Sequence, residues 1–453
     1  MTSANGGAGM GTGGAGGNSG TGGSGTGGSG GSGAGGWGFG GLGGLGGFGG
    51  FGGSGSGAGG GGGSGGGGDM VDWDLAVATA TRLARPGPEV SREEAREAVA
   101  ELRRDAAEAE QHVRAYTGMG EPNTGTPVLV VDRPGWIKAN VAGFRTVIQP
   151  LVTRLRSRRE GVPGAAVLGA VGEKVTGLEV GMLLSYLSSR VLGQYETFAP
   201  PAESAAGDAG AGEAEAPQAG RLLLVAPNIV HVERELDVDP HDFRLWVCLH
   251  EETHRTQFTA VPWLRDHIES EIQNFLAETD VDPATLMERL REAVASVGGG
   301  LGGLGGNSGR EGGGRDSSGE GTGSLIDIVQ TPNQREILGR LTAVMSLLEG
   351  HADVVMDGVG PSVVPSVAEI REKFQQRRAK GAGRLDAALR RLLGMDAKLR
   401  QYQDGAKFTR GVVERVGMPG FNRVWTSPNT LPTKEEIHDP AAWVARVHGE
   451  TAS

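Results

Sequence analysis

Residues 239–258 read DPHDFRLWVCLHEETHRTQF and carry both a helix start and a cluster of ionisable side chains. Asp239 is an N-capping residue, Pro240 suits the first helical position, and Phe243, Leu245, Trp246, Val247 and Leu249 follow as a dense apolar run. The stretch is therefore expected as a mostly buried helix. His250 and His254 stand four apart, so they project from one face and can both hold a zinc ion. Glu251 sits one step round, within reach of water on the metal. Zinc lowers the pKa of such water to about 7, and a neighbouring glutamate takes the proton as hydroxide attacks a polarised carbonyl. Packing alone does not explain two histidines and two acids on a buried helix, because buried polar groups need partners. Glu252 points away from the histidine face and reads as a solvated or structural acid.

Two histidines leave the ion short of protein ligands. A long-spaced metzincin motif needs Gly at 257 and His at 260, where this chain has Gln257 and Ala260. The glutamate-ligand aminopeptidase spacing fails at Gln273, although Glu269 and Glu271 lie nearby. A better source lies downstream, where Thr331, Pro332 and Gln334 start a helix with an apolar stripe at Ile337, Leu341, Met345, Leu348 and Ala352. Glu349 and Asp353 flank that stripe four residues apart, and two partly buried like charges repel unless a cation compensates. Glu349 is assigned as third ligand, and Asp353 as the carboxylate that orients His250 or His254 through its other ring nitrogen. His351 is turned about 160° from Glu349 at ~100° per residue and reads as structural. Tyr195, in GQYE at 193–196, is a candidate donor to the developing oxyanion.

Outward from these motifs the chain is mainly helical. Helices are expected over 71–84, ended by Pro86-Gly87-Pro88, and from a capping box at Ser91 and Glu94 to about Tyr116. Asp132-Arg133-Pro134 opens another, with a core stripe at Ile137, Val141, Phe144 and Ile148. A small-residue apolar helix or helix pair reaches Gly193, and RLLLV at 221–225 reads as a buried strand. The fold class is thus mainly α with a small β element.

Of the 453 residues 84 are glycine, and 41 of those precede Asp69, so residues 1–68 read as a disordered Gly/Ser-rich tail with too few apolar side chains to fold. Residues 200–220 and 298–323 read as flexible inserts within one folded domain, 69–453. A net charge of -11 argues against nucleic acid and anionic lipid as partners. The single cysteine, Cys248, suits a reducing compartment. No secretory signal is apparent, and charges interrupt the most apolar stretch, 165–192, so no membrane span is expected and the cytoplasm is the expected location.

Four segments, LWVCLHEETHRTQF, LLEGHADVVMD, DRPGWIKANVAGF and KLRQYQDGAKFTRGVVERVGMPGFNRVW, together resemble the actinobacterial zincin-like family of zinc-dependent metalloproteases, some of whose members carry a deazaflavin coenzyme label. The resemblance spans about Asp69 to the C-terminus and implies a zincin-like metallohydrolase fold, with zinc on His250, His254 and Glu349 and with Glu251 in the catalytic role. The expected function is a metallopeptidase acting on a peptide or small amide, with Glu251 as general base and the strand at 222–225 offering an edge to an extended substrate. Two alternatives stand beside it: a non-peptide amide or ester hydrolase, and a non-catalytic helical protein with a structural zinc. Oligomeric state is left open by the sequence.

Overall fold

The computed structural model describes residues 71–121, 128–159, 165–198, 220–278, 331–379 and 395–449. The expected tail at 1–68 and insert at 298–323 lie outside the described residues, as does the insert at 200–220 apart from Gly220.

Helix α1 (Trp73–Leu83) begins at Asp72, whose side chain accepts from the Leu75 amide at 2.9 Å. Helix α2 (Arg92–Thr117) is capped by Ser91 and closed by Gly118 in the left-handed region, the conformation a helix C-terminus favours. Its buried stripe, Ala98, Leu102, Ala106, Ala109 and Val113, repeats in steps of four and three, leaving most of the charged residues outside, with Asp105 the buried exception. Helix α3 (Arg133–Arg159) buries Ile137 and Val141 as the stripe predicts, and α4 (Ala165–Ser188) is one helix rather than a pair.

One strand was expected, and among the described residues three form: β1 (Val128–Val131), β2 (Gly193–Glu196) and β3 (Arg221–Val225), in the order β1-β3-β2. β1 runs parallel to β3, with Val128 opposite Leu222, and β2 runs antiparallel to it, with Gly193 opposite Leu224. The expectation that β3 offers an edge to substrate is therefore overturned. After Arg221, its uninterrupted apolar LLLV run marks a central strand, buried on both faces, and both of its edges are paired.

After β3 come α5 (Ala226–Leu236), α6 (Pro240–Ala260) and α7 (Pro262–Ala277), then α8 (Pro332–Val359), α9 (Val367–Ala379), α10 (Met395–Phe421) and α11 (Pro440–His448). Asp239 caps α6, and Thr331 with Gln334 forms the complete capping box on α8. Three apolar clusters surround the sheet and these helices. One joins α2, α6 and α9 through Leu102, Trp246, Leu249 and Phe374. A second joins α7, α8, α10 and α11 through Leu264, Leu348, Phe408 and Trp443. The third packs α1, α3 and α4 on the sheet. α8 crosses α10 at two glycines: a Cβ on Gly350 would strike the Gly405 backbone, and one on Gly405 would strike the carbonyl of Ser346. Mid-helix glycine costs roughly 0.5–1 kcal/mol relative to alanine, and here it lets two backbones touch beside Glu349. No helix among the described residues is long and apolar enough to cross a membrane.

Candidate metal centre

α6 and α8 meet between the first two clusters, and His250, His254 and Glu349 come together there. His250 and His254 lie one turn apart on α6 with perpendicular rings, their Nε2 atoms 3.2 Å from each other. Glu349 on α8 brings Oε2 to 3.6 Å from His250 Nε2 and Oε1 to 3.7 Å from His254 Nε2. One donor atom from each of the three falls within 4.8 Å of the others, and all three side chains are buried. Two ligands on bonds of ~2.0–2.1 Å subtend roughly 3.3 Å across a tetrahedral centre, so the imidazole spacing suits zinc. The N, N, O donor set is also one that zinc takes at catalytic sites with an open fourth position. Burial holds the His254 pKa down at about 4, opposed by its hydrogen bond with Gln257, so the ring is neutral and able to ligate at pH 7.

Glu251 is fully buried against the first residue of β2. A Cβ at Gly193 would stand 2.5 Å from Glu251 Cγ, a place only glycine leaves free. Its Oε2 finds no hydrogen-bond partner among the described residues. Burial drives the Glu251 pKa well above the usual range, and the charge of Glu252 pushes the same way. A buried acid of this kind is stabilised as a carboxylate by a nearby cation.

The remaining expected residues fall elsewhere. Asp353 does not orient a motif histidine: it meets Arg371 at 3.3 Å and Arg410 at 3.0 Å, and burial still raises its pKa to about 6. The compensating charge predicted for the Glu349–Asp353 pair thus comes, on the Asp353 side, from guanidinium groups of α9 and α10. Glu252 is not solvated. It is buried and paired with Arg255 at 2.6 Å, which also holds Glu110 of α2 at 2.9 Å, the structural alternative of its reading. Tyr195 stacks on Phe258 with centroids 5.6 Å apart, and its hydroxyl lies against Gly220, contacts that lend no support to an oxyanion role. Glu271 pairs with Arg340 at 2.8 Å, away from the histidines.

The sequence reading missed Gln257, which it used only to exclude a motif. Its Oε1 lies 3.0 Å from His254 Nδ1, and its Nε2 lies 2.9 Å from the Leu348 carbonyl and 3.0 Å from His351 Nδ1. The available signal was its position, three residues after His254 and so on the same side of α6. His351 is buried and stacked on Phe421, with Trp425 beside it, and takes no place among the three donors.

A family model described as "Zincin-like metallopeptidase" matches residues 71–444. A solved structure from Chloroflexus aurantiacus, provisionally described as a hydrolase with a novel fold, is similar at 29% identity and a TM-score of 0.56. That match covers 84% of this chain and 99% of the other. No curated protein matches the chain.

Proposed function

Because this chain belongs to the zincin-like metallopeptidase family, we propose that it is a zinc-dependent hydrolase, and specifically a peptidase, working from the junction of α6 and α8. The observation that carries this reading is the convergence of His250, His254 and Glu349 from two helices, with the buried carboxylate of Glu251 one residue from the first of them. His250 and His254 would hold the ion through Nε2, and Glu349 through its carboxylate. Zinc, when bound there, supplies Lewis acidity toward a substrate carbonyl and toward water.

The other steps belong to the chain. Glu251, held against the backbone of β2, accepts a proton from the attacking water and returns it to the departing amide nitrogen. Its burial keeps bulk water from the carboxylate and, among the described residues, leaves Oε2 without a competing protein donor. A closed structural zinc site has no use for such a group beside its first ligand, which favours catalysis over a purely structural metal.

The test is Glu251→Gln, which keeps shape and removes the proton acceptor. The variant is expected to bind about one zinc per chain while turnover of a peptide library falls on the order of 10²–10⁴-fold. Undiminished turnover would rule out the general-base role. Zinc content unchanged in both His254→Ala and Glu349→Ala would rule out the ligand set. Parent activity on small amides or esters with none on peptides would select the non-peptide hydrolase instead.

A further inference from the structure

Gln257 makes three polar contacts, and together they determine how its amide is oriented. The Leu348 carbonyl can only accept a hydrogen bond, so the atom 2.9 Å from it must be the amide nitrogen. That choice places Oε1 at 3.0 Å from His254 Nδ1, and an amide oxygen can only accept. His254 must then carry its proton on Nδ1, which leaves the lone pair of Nε2 directed at His250 and Glu349. The second amide hydrogen goes to His351 Nδ1, at 3.0 Å, so that imidazole accepts there and carries its own proton on Nε2.

Leu348 immediately precedes Glu349. One buried side chain on α6 thus grips the second histidine and also the α8 backbone beside the carboxylate. His351 in turn is immobilised by stacking on Phe421 of α10, so the far end of the amide has a fixed partner. We propose that Gln257 is a positioning residue: it selects the Nδ1-protonated tautomer of His254 and sets the spacing of the α6 and α8 donors for the metal. This deepens the metal-centre reading above and rests on it for the metal, although the tautomer is a property of the chain alone. An amide performs the job that a carboxylate or carbonyl does behind most metal-bound histidines. It also donates in two other directions, which a carboxylate cannot do when ionised.

The experiment has two readouts. The first is the tautomer of His254 in metal-free chain labelled with ¹⁵N-histidine, read from long-range ¹H–¹⁵N correlations and assigned by the signals lost in His254→Ala. Nδ1-protonated His254 is expected, and the Nε2-protonated form would overturn the proposal whether or not zinc binds. The second is zinc affinity by chelator competition. Gln257→Leu, which has no acceptor, is expected to bind zinc about 10–100-fold more weakly than the parent. Gln257→Glu, which restores an acceptor for His254 Nδ1–H but not the two donations, is expected to bind zinc more tightly than Gln257→Leu and to keep His254 protonated on Nδ1. Should Gln257→Leu fail to fold, Gln257→Glu with the other tautomer would still overturn the proposal. Gln257→Leu binding zinc within twofold of the parent, while His254→Ala loses it, would defeat the role of Gln257 and leave the metal centre standing. Zinc retained in His254→Ala would defeat the metal centre itself, and the tautomer readout would still decide the role of Gln257.

Discussion

Glu251 reaches its place because residue 193 has no side chain. The nearest Glu251 atoms stand 2.5 Å and 2.7 Å from where a Cβ at 193 would be, so Gly193→Ala must displace the carboxylate or push β2 away from α6. Neither group belongs to the proposed donor set, so the variant is expected to keep its zinc while turnover drops. A displacement of about 1 Å can cost on the order of 100-fold, and a loss of at least tenfold is expected here. Turnover equal to the parent, with normal zinc content, would show that Glu251 works from another position. At this scale the sequence was legible where spacing along one helix does the work. His250 and His254 share a face because they are four apart, and they do meet. On the capped, amphipathic α8 the Glu349–Asp353 pair singled out Glu349, which the structure brings to them. Asp353 was misjudged because its partners, Arg371 and Arg410, come from helices whose packing no local pattern reveals. Gln257 was missed because an amide gives no charge or motif signal, and its importance comes entirely from what surrounds it.

Among the elements, helices with caps and stripes were readable, whereas β1 and β2 were not. VLVV is too short to show a period, and GQYE contains one large apolar side chain. Each becomes a strand by pairing with β3, a tertiary contact between segments far apart in sequence. The α2–α6 contact shows the cost of a charged helix placed against a buried one. Asp105 of α2 is buried beside Glu101, Glu108, His241 and Arg244, and its pKa is raised to about 6, first by burial and next by Glu101, with His241 and Arg244 opposing. The folded value lies above the ordinary 3.8, so the native state binds this proton more tightly than the unfolded chain. Stability from this group is therefore complete below pH ~4 and is lost as pH rises through about 6. Asp105→Asn is neutral throughout. It should match the parent in urea unfolding near pH 4 and exceed it by up to about 3 kcal/mol above pH 6, roughly two pKa units of differential binding. A difference that stays constant from pH 4 to 7 would show that Asp105 does not titrate in this way.

Over the whole molecule, the pairing of helices is what the sequence concealed most. The composition and the helix signals indicated a mainly helical chain with little β, but nothing local says that α6 lies on α8 or that α10 crosses α8 at Gly405. Those contacts bring donors at 254 and 349 together across a long intervening stretch, much of which, 279–330, lies outside the described residues. The unfolded chain does not hold three such donors in register, so zinc on this set must stabilise the folded state by RT ln(1 + [Zn]/Kd), about 4 kcal/mol at a thousandfold excess over Kd. Stripping zinc with a chelator is accordingly expected to lower the melting midpoint by several degrees, and graded return of zinc should restore it in step with free-ion concentration. His254→Ala and Glu349→Ala should melt at one temperature with or without the chelator. Glu251→Gln should still respond, because the side chain at 251 is not among the three donors proposed for the ion. A zinc-loaded parent whose midpoint ignores chelation would mean that the ion does not bridge α6 and α8, however closely their side chains approach.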